Sequence, residues 1–325
     1  MQIKRSFIIG PKFDDLFVFF PFWFPLIYIA LVINFPFLAP YLFLTVLFLF
    51  AETHFGSTWL FFFDKENKSW LKKNSYNVFF IPIYTLVILF FIWNINLNLV
   101  IIFHYLASGW HVTKQSVGIL TLANVRLKFN SLLIYVTSFT CLAIGLYRPG
   151  LLRNQFNNIE LNLLIIIFSI IYILCIKFNN YSTNNFSLNS FLPLITGTAI
   201  YLPLLFFNDL AAATAIGVGM HWCQYIALTW SINIRKKTKI FKINNGFKIF
   251  KNSLRNLFFV FGYSLIMTLM AYLGTKKIPN QTEAYNIFYL IPILFQLYHF
   301  YIDGFIWKFS DPHIKKSIAP YIFSK

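Results

Sequence analysis

The sequence predicts an all-α fold: a polytopic integral membrane helix bundle of about ten transmembrane helices with both termini in the cytoplasm. Three observations carry this expectation. Hydrophobic residues make up 58% of the 325-residue chain and charged residues only 11%, with a mean hydropathy of +0.65. That leaves too little charge to cover the surface of a soluble domain. The apolar residues gather into windows of about 20, the length a helix needs to cross ~30 Å of hydrocarbon. The cations, finally, are sorted between alternate connecting segments, as the positive-inside bias requires.

The first window, near 16–37, follows Lys4, Arg5 and Lys12. No small-residue cleavage site follows the basic start, so this span is expected to stay in the mature protein. The second window, near 41–63, runs into a loop holding Asp64, Lys65, Lys68, Lys72 and Lys73. Windows near 77–96, 98–122, 131–147 and 160–178 come next. Two more, near 190–207 and 209–233, are divided at Phe207-Asn208-Asp209. The last two lie near 254–274 and 285–308, and a short tail carries His313.

With the N-terminus inside, all but four of the 27 Lys and Arg residues fall in cytoplasmic segments; the exceptions are Arg148, Arg153, Lys276 and Lys277. This sorting accounts for the net charge of +17 without a nucleic-acid partner. The chain is expected as a single transmembrane domain, 1–325, of a bacterial inner (plasma) membrane. The basic loop about 234–254 reads as a positive-inside tether, and in a sharper reading as an interfacial segment holding anionic membrane lipids. Cys141, Cys175 and Cys223 all fall in apolar segments without CxxC spacing, which points away from a disulfide framework or a thiolate metal site.

Five of the six histidines, His54, His104, His111, His221 and His299, lie inside these apolar windows. All five fall on even-numbered spans, from mid-membrane towards the expected cytoplasmic end. A charged group at a helix centre costs roughly 2.5–3.5 kcal/mol, so such groups persist mainly where they pair, line a wet cavity or bind something. His104 and His111 are seven apart, two turns on one face, with Lys114 and Gln115 three and four residues beyond. They read as two metal ligands, or as one ligand and its partner. The bland alternative is a pair of interhelical hydrogen bonds with Lys114 snorkelling to the surface.

His299 and Asp303 stand i, i+4 and face one way, which suits two ligands or a ligand and the carboxylate that orients it. Glu52 and His54 are two apart, roughly 200° around an ideal helix, unless Gly56 loosens it and lets both point inward. His221 and Gln224 are i, i+3 in a small-sided span rich in Ala and Gly, and Cys223 beside them reads as a buried neutral thiol. His313, after Asp311-Pro312, reads as a solvated tail residue unless the tail folds back.

Several imidazoles with one or two carboxylates and no thiolate cluster make a nitrogen/oxygen ligand set. The expected metal ligands are His54, His104, His111, His221, His299, Glu52 and Asp303, supported by Gln115, Gln224 and Lys114. Non-haem iron is the first expectation, with another divalent metal open. The corresponding activity is an O₂-dependent oxidoreductase acting on a lipid, hydrocarbon or isoprenoid, fed by an electron donor. Two other classes remain: a proton-coupled transporter or channel using the same groups as a relay, and a haem protein with axial histidines from two helices. Phosphate-binding loops and nucleophile elbows are absent from the sequence.

The segments THFGSTWLFFFDKENKSWLKK, FHYLASGWHVTKQSVG and YHFYIDGFIWK resemble an uncharacterised bacterial polytopic membrane family. Its members carry a His before a short turn and an acid-plus-basic loop, and an HxxxQxxG-like block, here His111, Gln115 and Gly118. That resemblance implies no activity. A fainter likeness, resting on His54-Phe55-Gly56 and on overall architecture, is to the bacterial retinal-forming β-carotene oxygenases, which are many-spanning and use histidines with iron. The PHGxxD block of that family is absent here, as are the HxxxH and HxxHH boxes of membrane desaturases.

Overall fold

The computed structural model describes residues 8–123, 127–148, 151, 188–207, 209–241, 246–275 and 287–322. Among these the chain is helical, with no strand. The main helices are α1 (Trp23–Asn34), α2 (Pro36–Trp59), α3 (Tyr76–Ile95), α4 (Leu97–Leu122), α5 (Leu127–Tyr147) and α6 (Leu188–Ala199). They continue with α7 (Leu210–Phe241), α8 (Gly246–Gly274), α9 (Ile287–Ile306) and the short α10 (Pro312–Ser317). A helix stands at each expected window that the described residues cover. The window 160–178, with Cys175, lies outside them.

Five helices, α2, α3, α5, α8 and α9, are long and apolar enough to cross a membrane, which marks the chain as a membrane protein. Helices α4 and α7, which carry His104, His111 and His221, are also long but more polar than these five. On α3, Phe80, Ile83, Tyr84, Val87 and Phe91 are all exposed. A continuous apolar face of that kind suits hydrocarbon and not water.

Local chemistry sets the helix ends. Asn96 precedes α4, and its side-chain oxygen accepts from the amides of Asn98 (3.0 Å) and Leu99 (3.4 Å). Asp311 caps α10 in the same way, accepting from His313 (2.8 Å) and Ile314 (3.2 Å), with Pro312 at the first helical position. Within α2 the turn Leu47–Glu52 is π-helical, a local underwinding that recurs at functional sites and rotates the residues beyond it.

The chain, expected as one transmembrane domain, divides into two compact units. The first comprises Met1–Asp14, Leu44–Ile95 and Tyr225–Lys325; the second comprises Asp15–Phe43 and Asn96–Gln224.

In the first unit, α8 packs on α9 and on the later turns of α2. Gly56 of α2 meets α8 closely, since a Cβ there would lie 3.0 Å from the Tyr263 ring. This glycine therefore serves helix approach, and the departure from ideal winding lies in the π-turn before it. Tyr298 of α9 donates to the carbonyl of Val78 in α3 at 2.8 Å. The tail folds back, and His313 is not left in solvent: its Nε2 stands 2.9 Å from Asn67 Oδ1 and its ring stacks on Trp70. Trp70 in turn donates to Asp311 at 3.2 Å. Arg235 donates to the carbonyls of Tyr321 (3.0 Å), Ile322 (2.6 Å) and Ile8, tying both ends of the chain to α7.

In the second unit, α4 packs on α5 and α6 around Leu120, Leu133, Ile134 and Leu194. Small residues permit this closeness. Gly109 lies under Leu142, Gly197 beside Ile134, and Gly217 of α7 directly against the carbonyl of Ile200.

Candidate metal centre

In the first unit, residues Ala51 to Thr58 of α2 are all buried. This stretch carries His54 and, one turn later, Thr58. Helix α9 brings His299 and Asp303, and α7 contributes Tyr225. All five side chains are nearly or fully excluded from solvent. Thr58 Oγ1 is the hub, lying 2.6 Å from the Tyr225 hydroxyl, 2.8 Å from His299 Nδ1 and 3.3 Å from Asp303 Oδ1. Tyr225 donates to the same Asp303 oxygen at 2.9 Å. The His54 ring stands 4.5 Å from the His299 ring and 4.4 Å from the Tyr225 ring, centroid to centroid.

In the Thr58–His299 contact either atom can donate, according to the tautomer of the ring. With Nδ1 engaged by Thr58, the other ring nitrogen, Nε2, faces Asp303 Oδ2 at 3.7 Å. Two ligand atoms about 2.1 Å from one ion, and roughly 110–120° apart across it, stand about 3.5 Å from each other. The His299–Asp303 spacing therefore fits two ligands of one metal, with Thr58 fixing the ring from behind.

In the second unit, the buried His111 and His221 rings meet edge to face at 5.5 Å. His104 is half-buried, its ring against Tyr105. It lies two turns from His111, about 10 Å along the helix axis. Lys114 is exposed and Gln115 half-buried. Gln224 is buried and donates to the carbonyl of Val18 at 2.6 Å, bracing α7 on the chain before α1. Three buried histidines, His54, His111 and His299, each present a ring nitrogen that can hold a metal ion. Glu52 is fully buried: its Oε1 accepts from Gln296 at 2.9 Å, while Oε2 has no hydrogen-bond partner.

A cleft of about 70 Å³ borders this cluster within the first unit. Thr58 and Tyr225 line it, together with Ser57, Thr229, Asn233 and Trp307. Lys236 and Asp64 also line it and form an ion pair, and Glu66 adds a second carboxylate 3.0 Å from the ammonium. Next to Lys236, burial and the nearby Arg255 guanidinium push the Lys237 ammonium down to about 8, against the pull of Asp64.

Thr58 and Tyr225 were not among the residues expected from sequence. The signal available was spacing: Thr58 is four residues after His54 and Tyr225 four after His221, as Asp303 is four after His299. Comparison with known protein families, with curated proteins and with solved structures finds no match.

Thr58→Val keeps the shape of the side chain and removes the hydroxyl that holds His299. Metal affinity should fall about 10- to 100-fold, the usual cost of losing a group that orients a ligand. Thr58→Ser should stay within a few-fold of the parent. Competition with a chromophoric chelator checks both.

Proposed function

We propose that this protein is an integral membrane metalloenzyme, a non-haem iron oxidoreductase whose histidines and Asp303 hold the metal. Its substrate is a hydrophobic small molecule of lipid, hydrocarbon or isoprenoid type. The single observation that carries the reading is the facing of His299 Nε2 and Asp303 Oδ2 at 3.7 Å, with the other ring nitrogen committed to Thr58. When bound, iron supplies one-electron chemistry with O₂ that no side chain here provides. The chain's own residues do the rest. Thr58 and Tyr225 orient Asp303, the aromatic rings around His54 and His299 exclude water, and the cleft admits the substrate.

In this reading about ten helices cross a bacterial inner membrane with both termini in the cytoplasm, so the cleft with Lys236 and Asp64 opens towards the cytoplasmic side. A haem is disfavoured. Two axial imidazoles on one iron hold their ring centroids about 6 Å apart, and the His54–His299 rings are at 4.5 Å. A second reading rests on the hydrogen-bonded run Tyr225, Thr58, His299 and Asp303, which is also what a proton relay needs.

Elemental analysis of detergent-purified protein, with a visible spectrum of the same sample, tests the proposal. The expected result is about one or two irons per chain and no Soret band. Protein that binds no metal, even after reconstitution with ferrous iron under reducing conditions, would overturn it in favour of the relay.

A further inference from the structure

The cleft of the first unit holds two buried polar atoms that the proposed reaction does not use. Ser317, only 5% exposed, lines it with an Oγ that has no partner, and the Nε1 of Trp307 has none either. Both can donate. The same wall holds acceptors. Ser57 donates to the carbonyl of Thr53 at 2.8 Å and Thr229 to the carbonyl of Tyr225 at 2.7 Å, so each oxygen keeps lone pairs that can still accept. The wall therefore suits an occupant that both accepts and donates. A buried hydroxyl without a partner is costly, and a ligand that can complete it relieves that cost.

Charge narrows the class further. Within the lining, Lys236 and Asp64 neutralise each other. An anionic headgroup reaching Lys236 would have to displace Asp64 and Glu66. An ammonium would meet Lys236 with Lys237 and Arg255 close by. The lower walls are apolar, with Leu60, Phe61, Ile232, Ile306 and Ile318. The cleft's volume of about 70 Å³ has room for a small headgroup and not for a whole lipid-sized molecule.

We propose that this cleft binds the uncharged hydroxyl end of a long-chain alcohol, the hydroxyl donating its one proton to the Thr229 oxygen and accepting from Ser317 and Trp307. This names the substrate class of the reaction proposed above and rests on that reading. The binding itself needs no metal.

The test uses 2-bromohexadecan-1-ol added to detergent-solubilised, full-length protein, with and without iron. Bromine quenches nearby indoles, and Trp307 lines the cleft. Saturable quenching that Trp307→Phe removes is expected. The O-methyl ether of the same alcohol keeps the chain and the acceptor but lacks the donor. It should bind about five- to tenfold more weakly, the value of one hydrogen bond. Thr229→Val should weaken the alcohol by a similar factor and leave the ether unchanged, a readout that mere destabilisation would not give. The carboxylate and amine of equal chain length should bind more weakly than the alcohol. Equal affinity for alcohol and ether, or quenching indifferent to Trp307→Phe, would overturn this inference while leaving the metal content, measured on the same samples, to decide the proposed function separately.

Discussion

His299→Ala is expected to strip the proposed metal from the protein. The substitution removes the candidate ligand nitrogen and also the hydrogen-bond partner of Thr58, which itself bonds Asp303. Removing a group that merely orients a ligand already costs about 10- to 100-fold in affinity, and removing the ligand itself costs at least that. Iron per chain should fall at least tenfold after dialysis against a weak chelator. His54→Ala should lower it too. Full retention of metal in the His299 variant would remove the basis of the site. Folding should survive, because the cavity left by an imidazole costs about 2–5 kcal/mol, and monodispersity in detergent checks that the loss is specific.

Gly217→Ala should be the most damaging of the small substitutions, although nothing chemical is lost. An added Cβ would lie 1.9 Å from the carbonyl oxygen of Ile200. The obstacle is backbone, so no rotamer change can clear it, and α7 must move away from the turn that follows α6. Overpacking of this kind costs about 1–3 kcal/mol or more. The same substitution at Gly118 or Gly262, where nothing lies within 4 Å, should have the opposite sign. There alanine gains up to about 1 kcal/mol of helix propensity over glycine. Thermal midpoints of the three variants in one detergent decide the matter: a fall at Gly217 and a level or higher midpoint at the others is expected.

These contrasts show what the sequence can and cannot display. Helix positions were legible because hydropathy is additive along the chain. The windows near 77–96, 98–122 and 254–274 correspond closely to α3, α4 and α8. The i, i+4 relation of His299 and Asp303 was legible because one helix fixes it. Which faces meet was not, since rotation about a helix axis is set by packing with distant segments. Glu52 illustrates this. The π-turn ending at Glu52 has no sequence signature here, and its carboxylate is held by Gln296, 244 positions away. Thr58 escaped notice for a simpler reason: a threonine hydroxyl in an apolar helix usually bonds its own backbone, as Thr229 does. The return of the tail onto Trp70 depends on a stacked ring and a cap that meet only once the chain is folded.

The first unit is assembled from three stretches of chain, and its last one, from Tyr225 onward, is made long after Leu44–Ile95. The segment carrying Glu52 and His54 is therefore inserted before Gln296, His299 and Asp303 exist. During synthesis these polar groups wait in the bilayer without their eventual neighbours, for at least the time a ribosome needs to add about 240 residues, some 12–50 s at 5–20 residues per second. Biogenesis of this protein is in that sense a holding problem. The cell must keep an unfinished, polar-faced helix from leaving the membrane or pairing wrongly until the final hundred residues arrive to close around it.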